Sequence, residues 1–162
     1  MTKSYGSIEK LISGGQTGVD SAIIKVNQHL GIAIGGVVPK GWKTEAGPRP
    51  DLELWGFVEA ESDKYPVRTR LNVEEADATL IFATNDRSPG TEQTVNFAVA
   101  ARKPHLVVNP FAGDAVAAIE QWLREYEPRV LNVAGNRESV SPGIHAQTVV
   151  VLEAVLGRLS EP

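Results

Sequence analysis

Cysteine is missing from this chain altogether, which removes disulfides, thiolate metal sites and cysteine nucleophiles together. Aromatic residues make up only 6% of the sequence, and no apolar run reaches the length a membrane span needs. An excess of basic charge is also absent. The formal net charge is −4, which argues against a nucleic-acid surface. Histidine is scarce, and His29, His105 and His145 are too scattered to form a metal-ligand set, so no metal ligand is assigned. The segment Met1–Gly6 carries no apolar core of a signal peptide, which leads to the expectation of a cytoplasmic protein.

What is present fits one compact domain. Its 162 residues are 42% hydrophobic, ample for a core without staples. Short β-branched runs alternate with segments of helical period. Ile8–Ser13, Ile32–Val38, Ala78–Ala83, His105–Val108 and Val130–Val133 read as strands. Between them, helices fit from about Gly18 to Leu30, Arg68 to Ala76, Thr91 to Arg102 and Asp114 to Leu123. A last helix starts near Ser141-Pro142. Strands that are nearly continuous apolar runs, separated by helices, predict an α/β fold. The expectation is a single Rossmann-like domain over residues 1–162, with a mainly parallel sheet and helices on both faces. The proline-bearing stretch 39–66 is expected to be a long, lid-like loop over the site.

Three strand-to-helix junctions combine glycine with hydroxyl or amide residues. They are Ser13-Gly14-Gly15-Gln16-Thr17-Gly18, Ser88-Pro89-Gly90-Thr91 and Ala134-Gly135-Asn136-Arg137-Glu138-Ser139. In an open parallel sheet such turns share one edge, where backbone N–H groups and helix dipoles converge on a crevice. A phosphate-bearing small molecule is therefore the expected ligand. The spacing is neither G-x-G-x-x-G nor a Walker A, which points away from nicotinamide cofactors and ATPases. Thr17 and Asp20 make a candidate capping pair, although a first-turn carboxylate competes with an anion. Nothing marks a nucleophile elbow or a Ser–His–Asp order, and no catalytic residue is assigned. Trp55, Phe57 and Trp122 are candidates for contacts between subunits.

At these residues the chain resembles the molybdenum cofactor carrier-like family, within the SLOG superfamily of Rossmann-like nucleotide binders. The similarity lies in Ile12–Asp20, Pro39-Lys40-Gly41, Tyr65 with Arg68-Thr69 and Asn72-Val73, and Asp77–Ile81. It continues through Asn132–Gly135, Arg137-Glu138-Ser139 and Pro142-Gly143-Ile144, spanning roughly residues 11–155. The resemblance implies a homo-oligomer, with a tetramer favoured, that carries the pterin-based molybdenum cofactor and passes it to a molybdoenzyme. It places Gly14, Gly15, Gln16, Thr17, Gly90 and Thr91 near phosphate, with Lys40 and Arg137 as charge donors. Arg68, where the lid-like stretch ends, joins this cofactor-binding set. Such cargo brings its own dithiolene sulfurs, so a cysteine-free chain can hold it through pterin and phosphate. Two alternatives stand beside the carrier. One is a nucleotide-processing enzyme related to nucleoside monophosphate phosphoribohydrolases, with Asp20 or Glu138 as its carboxylate. The other is a nucleotide-derivative sensor. The phosphoribohydrolases carry glutamate where this chain has Thr94, and Pro89 precedes Gly90-Thr91, which counts against that activity.

Overall fold

The computed structural model describes residues 3–85 and 87–161. Six strands, β1 (Lys10–Ile12), β2 (Ala33–Val38), β3 (Phe57–Glu59), β4 (Ala78–Phe82), β5 (His105–Val108) and β6 (Val130–Gly135), form one sheet in the order β3-β2-β1-β6-β4-β5. Every pairing is parallel. The intervening helices are α1 (Val19–Leu30), α2 (Tyr65–Glu75), α3 (Pro89–Ala100), α4 (Ala115–Tyr126) and α5 (Ile144–Leu159). This is the α/β Rossmann-like arrangement read from the alternating pattern.

Helices α1, α4 and α5 pack side by side on one face, and α2 packs with α3 on the other. The two faces are chemically unlike, and the strand period of two decides which residue goes where. Leu11, Leu80, Phe82, Leu131 and Val133 point into the apolar core beneath α1, α4 and α5. Their alternates Thr79 and Asn132 face the α2–α3 side, where the Asn132 amide donates to Thr79 Oγ1 at 3.3 Å. The inner surfaces of α2 and α3 carry buried polar residues, Thr69, Asn72, Thr91 and Thr94, beside Val73 and Ala98. The chain winds outward from β1 through β2 to β3, then returns on the far side to β4 and β5. Strand β6 is inserted between β1 and β4. The topological switch therefore falls at the carboxyl ends of β1, β6 and β4, where ligands of open α/β sheets bind.

Several boundaries differ from the sequence reading. The stretch 39–66 holds a 3-10 helix, Pro50–Trp55, and the edge strand β3, with Leu52 and Phe57 both buried. These apolar islands are too short for a period to show, and Gly56, at φ 94°, turns the chain sharply between them. Phe57 and Trp122 are 1% and 8% exposed, buried in the protein's own core, and Trp55 packs against that core. Helix α3 begins at Pro89 with Ser88 in the N-cap position. Helix α5 begins at Ile144 after Gly143, two residues beyond the Ser141-Pro142 start.

Asn72 ties α2 to the sheet. Its Oδ1 accepts from Val37 N–H at 2.8 Å, and its Nδ2 donates to Val37 O at 2.9 Å and to Arg68 O at 3.0 Å. Asn72→Ala strands buried groups of β2, so it should lower unfolding free energy in urea by about 2–3 kcal/mol.

Candidate functional site

The three glycine-bearing junctions do meet. A cavity of about 480 Å³ opens between α2, α3 and the carboxyl ends of β1 and β6. Gly14, Gln16, Arg68, Gly90, Thr91 and Arg137 of the expected set all line it, together with Asp20, Tyr65, Asn132 and Asn136. Gly15, Thr17 and Lys40 do not. Gly15, at φ 73°, turns toward Val38 and Leu52, where an added Cβ would lie 2.5 Å from Val38 Cγ1. Thr17 faces away: its hydroxyl bonds the Glu45 carboxylate and accepts from Glu138 N–H at 3.2 Å. Lys40 is exposed, with its backbone N–H held by Ser62 O.

The first turn does not offer its amides to a ligand, which corrects the sequence reading. Gln16 N–H donates to Asp20 Oδ2 at 3.2 Å, Gly15 N–H to Ser13 Oγ at 3.4 Å, and Thr17 N–H to Gln16 Oε1 at 3.0 Å. Asp20 is thus an internal anion for this turn, not a partner of Thr17 in a helix cap. Arg68 lies across the face of Gly14, so a side chain at this position would displace the guanidinium. A Cβ there would fall 2.5 Å from Arg68 Nε.

Among the described residues, two buried donors at this place have no partner. Gln16 Oε1 accepts from Thr17 N–H and from Glu45 N–H at 2.9 Å, while Gln16 Nε2 has no acceptor. Arg68 Nε is unpartnered too. Both atoms are closed off from solvent, while other atoms of the two residues line the cavity.

Cations converge at the mouth. Around the Tyr65 ring, Lys43 Nζ lies 4.5 Å from the centroid, Arg68 Cζ 5.2 Å and Arg137 Cζ 5.5 Å. Lys43 thus approaches the cavity's edge through Tyr65, although like Lys40 it is not among the lining residues. Its place was hidden in the sequence because it depends on how the loop doubles back onto α2. Opposite, the first turn of α3 brings Gly90 and Thr91, whose N–H groups have no partner within the helix. A Cβ at Gly90 would meet nothing within 4 Å, so open space adjoins it. Asn136 joins two junctions, accepting from Thr84 N–H at 3.0 Å and donating to Ser88 Oγ at 3.3 Å.

Burial pushes the Asp20 carboxyl up from 3.8 to about 6, against the pull of Arg68, the Gln16 and Gly14 amides and Arg137. Arg68 Nη2 stands 3.8 Å from Asp20 Oδ2. Burial lowers the Arg68 guanidinium's affinity for its proton, Asp20 opposes this, and the group stays charged. The other candidate carboxylate, Glu138, accepts from Gly143 N–H at 2.7 Å and His145 N–H at 3.1 Å, a cap on α5 outside this cavity.

A second depression of about 660 Å³ lies behind Thr17, lined by Ser21, Glu45, Arg49, Glu138 and His145. Its polar groups already serve one another: Ser21 Oγ sits 2.8 Å from His145 Nδ1, and Glu45 bonds Thr17 and Ser139. Small burial raises the Glu45 carboxyl slightly, but hydrogen bonds from Ser139 and Thr17 hold it below its usual range. The first cavity is the better candidate. Among the described residues, no group of three or more His, Asp or Glu side chains could hold a metal ion, and no helix is long and apolar enough to cross a membrane.

A model of the circularly permutated YpsA SLOG family matches residues 11–156. A crystal structure at 1.45 Å resolution, of a protein from Syntrophus aciditrophicus SB provisionally designated a molybdenum carrier protein, superimposes with a TM-score of 0.87. The two are 35% identical over 94% of this chain and 98% of that one. No curated protein matches the chain significantly.

The Asp20 carboxyl gives a stability signature. Between 3.8 and about 6 the folded chain binds more protons there than the unfolded chain, so this group's contribution falls as pH rises through that window. Relative to Asp20→Asn, the wild type should lose about 2–3 kcal/mol of unfolding free energy between about pH 4 and 7, with no further change above. Urea titrations of both proteins at matched pH measure it.

Proposed function

Because this chain belongs to the circularly permutated YpsA SLOG family, we propose that it is a binding protein that carries a small phosphorylated heterocycle, with the molybdenum cofactor as cargo. The observation that carries the reading is the meeting of the Arg68 and Arg137 guanidiniums with the α3 N-terminus in one cavity. A phosphate supplies several acceptors at once and suits guanidinium recognition. The volume falls within the range of small-molecule sites.

Arg68, Arg137, Lys43 and the first turn of α3 would hold the anionic end of the cargo. Asn132 and Asn136 offer amide edges to the heterocycle. The sulfur ligands of the metal come with the cofactor, consistent with a chain that has no cysteine. The neighbour's designation supports molybdenum specifically. Delivery to a molybdoenzyme and assembly into a homo-oligomer, with a tetramer favoured, belong to the same proposal. Exposed Val99, Phe111 and Val150 are available for subunit contacts.

Asp20 sustains a second reading as an enzyme that cleaves nucleoside monophosphates, since a carboxyl titrating near 6 lines the cavity. The two readings separate in one experiment. Purified protein should slow the aerobic loss of added molybdenum cofactor, scored by reconstituting a cofactor-free nitrate reductase. Gly14→Ala, which pushes Arg68 off its seat, and Arg137→Ala should each weaken retention about tenfold or more while circular dichroism stays unchanged. Equal protection by both variants removes this cavity from the reading. Release of free base from a nucleoside monophosphate establishes the enzyme instead.

A further inference from the structure

We infer that Asp20 is a built-in competitor for the ligand's anionic group, so that capture of an anion in this cavity takes up one proton. The inference rests on the anion-binding reading above and adds to it a coupling to pH.

Asp20 is 5% exposed and lines the cavity. Its Oδ2 accepts from Gln16 N–H and lies 3.8 Å from Arg68 Nη2. The donors that lack acceptors belong to those same two residues, Gln16 and Arg68. An anion drawn to the Arg68 guanidinium in this cavity must therefore settle beside the carboxylate already 3.8 Å from its Nη2. Two negative charges at such range in a buried place do not both persist, and the one that can be neutralised by a proton is the carboxyl.

Protonation leaves the turn intact. The carboxyl oxygen still accepts from Gln16 N–H, while the new O–H can donate to an oxygen of the incoming anion. The proton comes from solvent to an Asp20 oxygen, and no covalent bond in the ligand is made or broken. The charged groups facing Asp20 are Arg68 from α2 and Arg137 from the loop after β6. The Tyr65 phenol lies beyond, against Arg68. Both guanidiniums favour the ionised carboxylate in the free protein. A bound anion would share their charge and so shift Asp20 further toward its neutral form. Burial already brings the free carboxyl up to about 6, so the required proton is readily acquired near neutrality.

Sulfate is a suitable probe, because it is tetrahedral and keeps its charge across the range tested. Titration calorimetry at constant ionic strength should show sulfate affinity weakening about tenfold for each pH unit above about 6, as the competent fraction falls. Repeating the titration at pH 7.5 in two buffers of different ionisation enthalpy should show uptake of about one proton per sulfate. In Asp20→Asn, affinity should become independent of pH and match or exceed the wild type at acid pH. The proton count in the wild type stands even if that variant folds poorly. Sulfate binding of equal strength from pH 5.5 to 8.5 without proton uptake overturns the coupling and leaves the cavity an anion site. Absence of sulfate binding at every pH, in wild type and variant alike, overturns both.

Discussion

The contact between Arg68 and Asp20 across the face of Gly14 organises the whole rim of the sheet. Asp20, in the first turn of α1, holds the preceding loop by accepting from Gln16 N–H, and Ser13 Oγ donates back to Asp20 O at 2.8 Å. Arg68 brings α2 over that loop, and Asn72, one helical turn later, fixes α2 to β2. A side chain at position 14 would separate these partners. The glycine therefore serves the approach of one side chain, where the sequence suggested the approach of a ligand's phosphate.

That contact can exist because the sheet has two unlike faces. Beneath α1, α4 and α5 the strands present Leu, Val and Phe, and burial of that surface supplies the main driving force for folding. Beneath α2 and α3 they present Thr79 and Asn132 beside Ile12 and Ile81. Polar groups in such a layer need partners, and most have them. Among the described residues, the few in this layer that do not are Gln16 Nε2 and Arg68 Nε, both closed off from solvent beside the cavity.

Much of this was legible beforehand. Parallel βα units force their carboxyl-end loops to one edge, so the meeting of Gly14, Gly90 and Arg137 was expected from the alternation of strands and helices. What each residue does at that edge did not follow. Thr17 and Gly15 stand in the same loop as Gly14, yet positive φ at Gly15 and again at Gly18 swings their neighbours to opposite sides of the wall. Lys40 and Lys43 are three residues apart in an irregular segment with no period to assign their directions; only Lys43 folds over Tyr65. Phe57 pairs with Gly36 in an edge strand three residues long, below what alternation can reveal.

The distribution of carboxylates bears most directly on what such a cavity does. Glycosidic cleavage with two carboxylates needs both within reach of one bond. Here Glu138 is committed to the amides of Gly143 and His145, and Glu45 to Thr17 and Ser139, on the far side of the loop. Asp20 is left as the carboxyl lining the cavity among the described residues, and it is engaged with Gln16 and Arg68. A lone carboxyl held in this way is better placed to respond to a bound anion than to activate water against one. The carrier reading draws its strength from that arrangement: the cavity concentrates groups that hold, and among the described residues Glu45 and Glu138 are tied elsewhere.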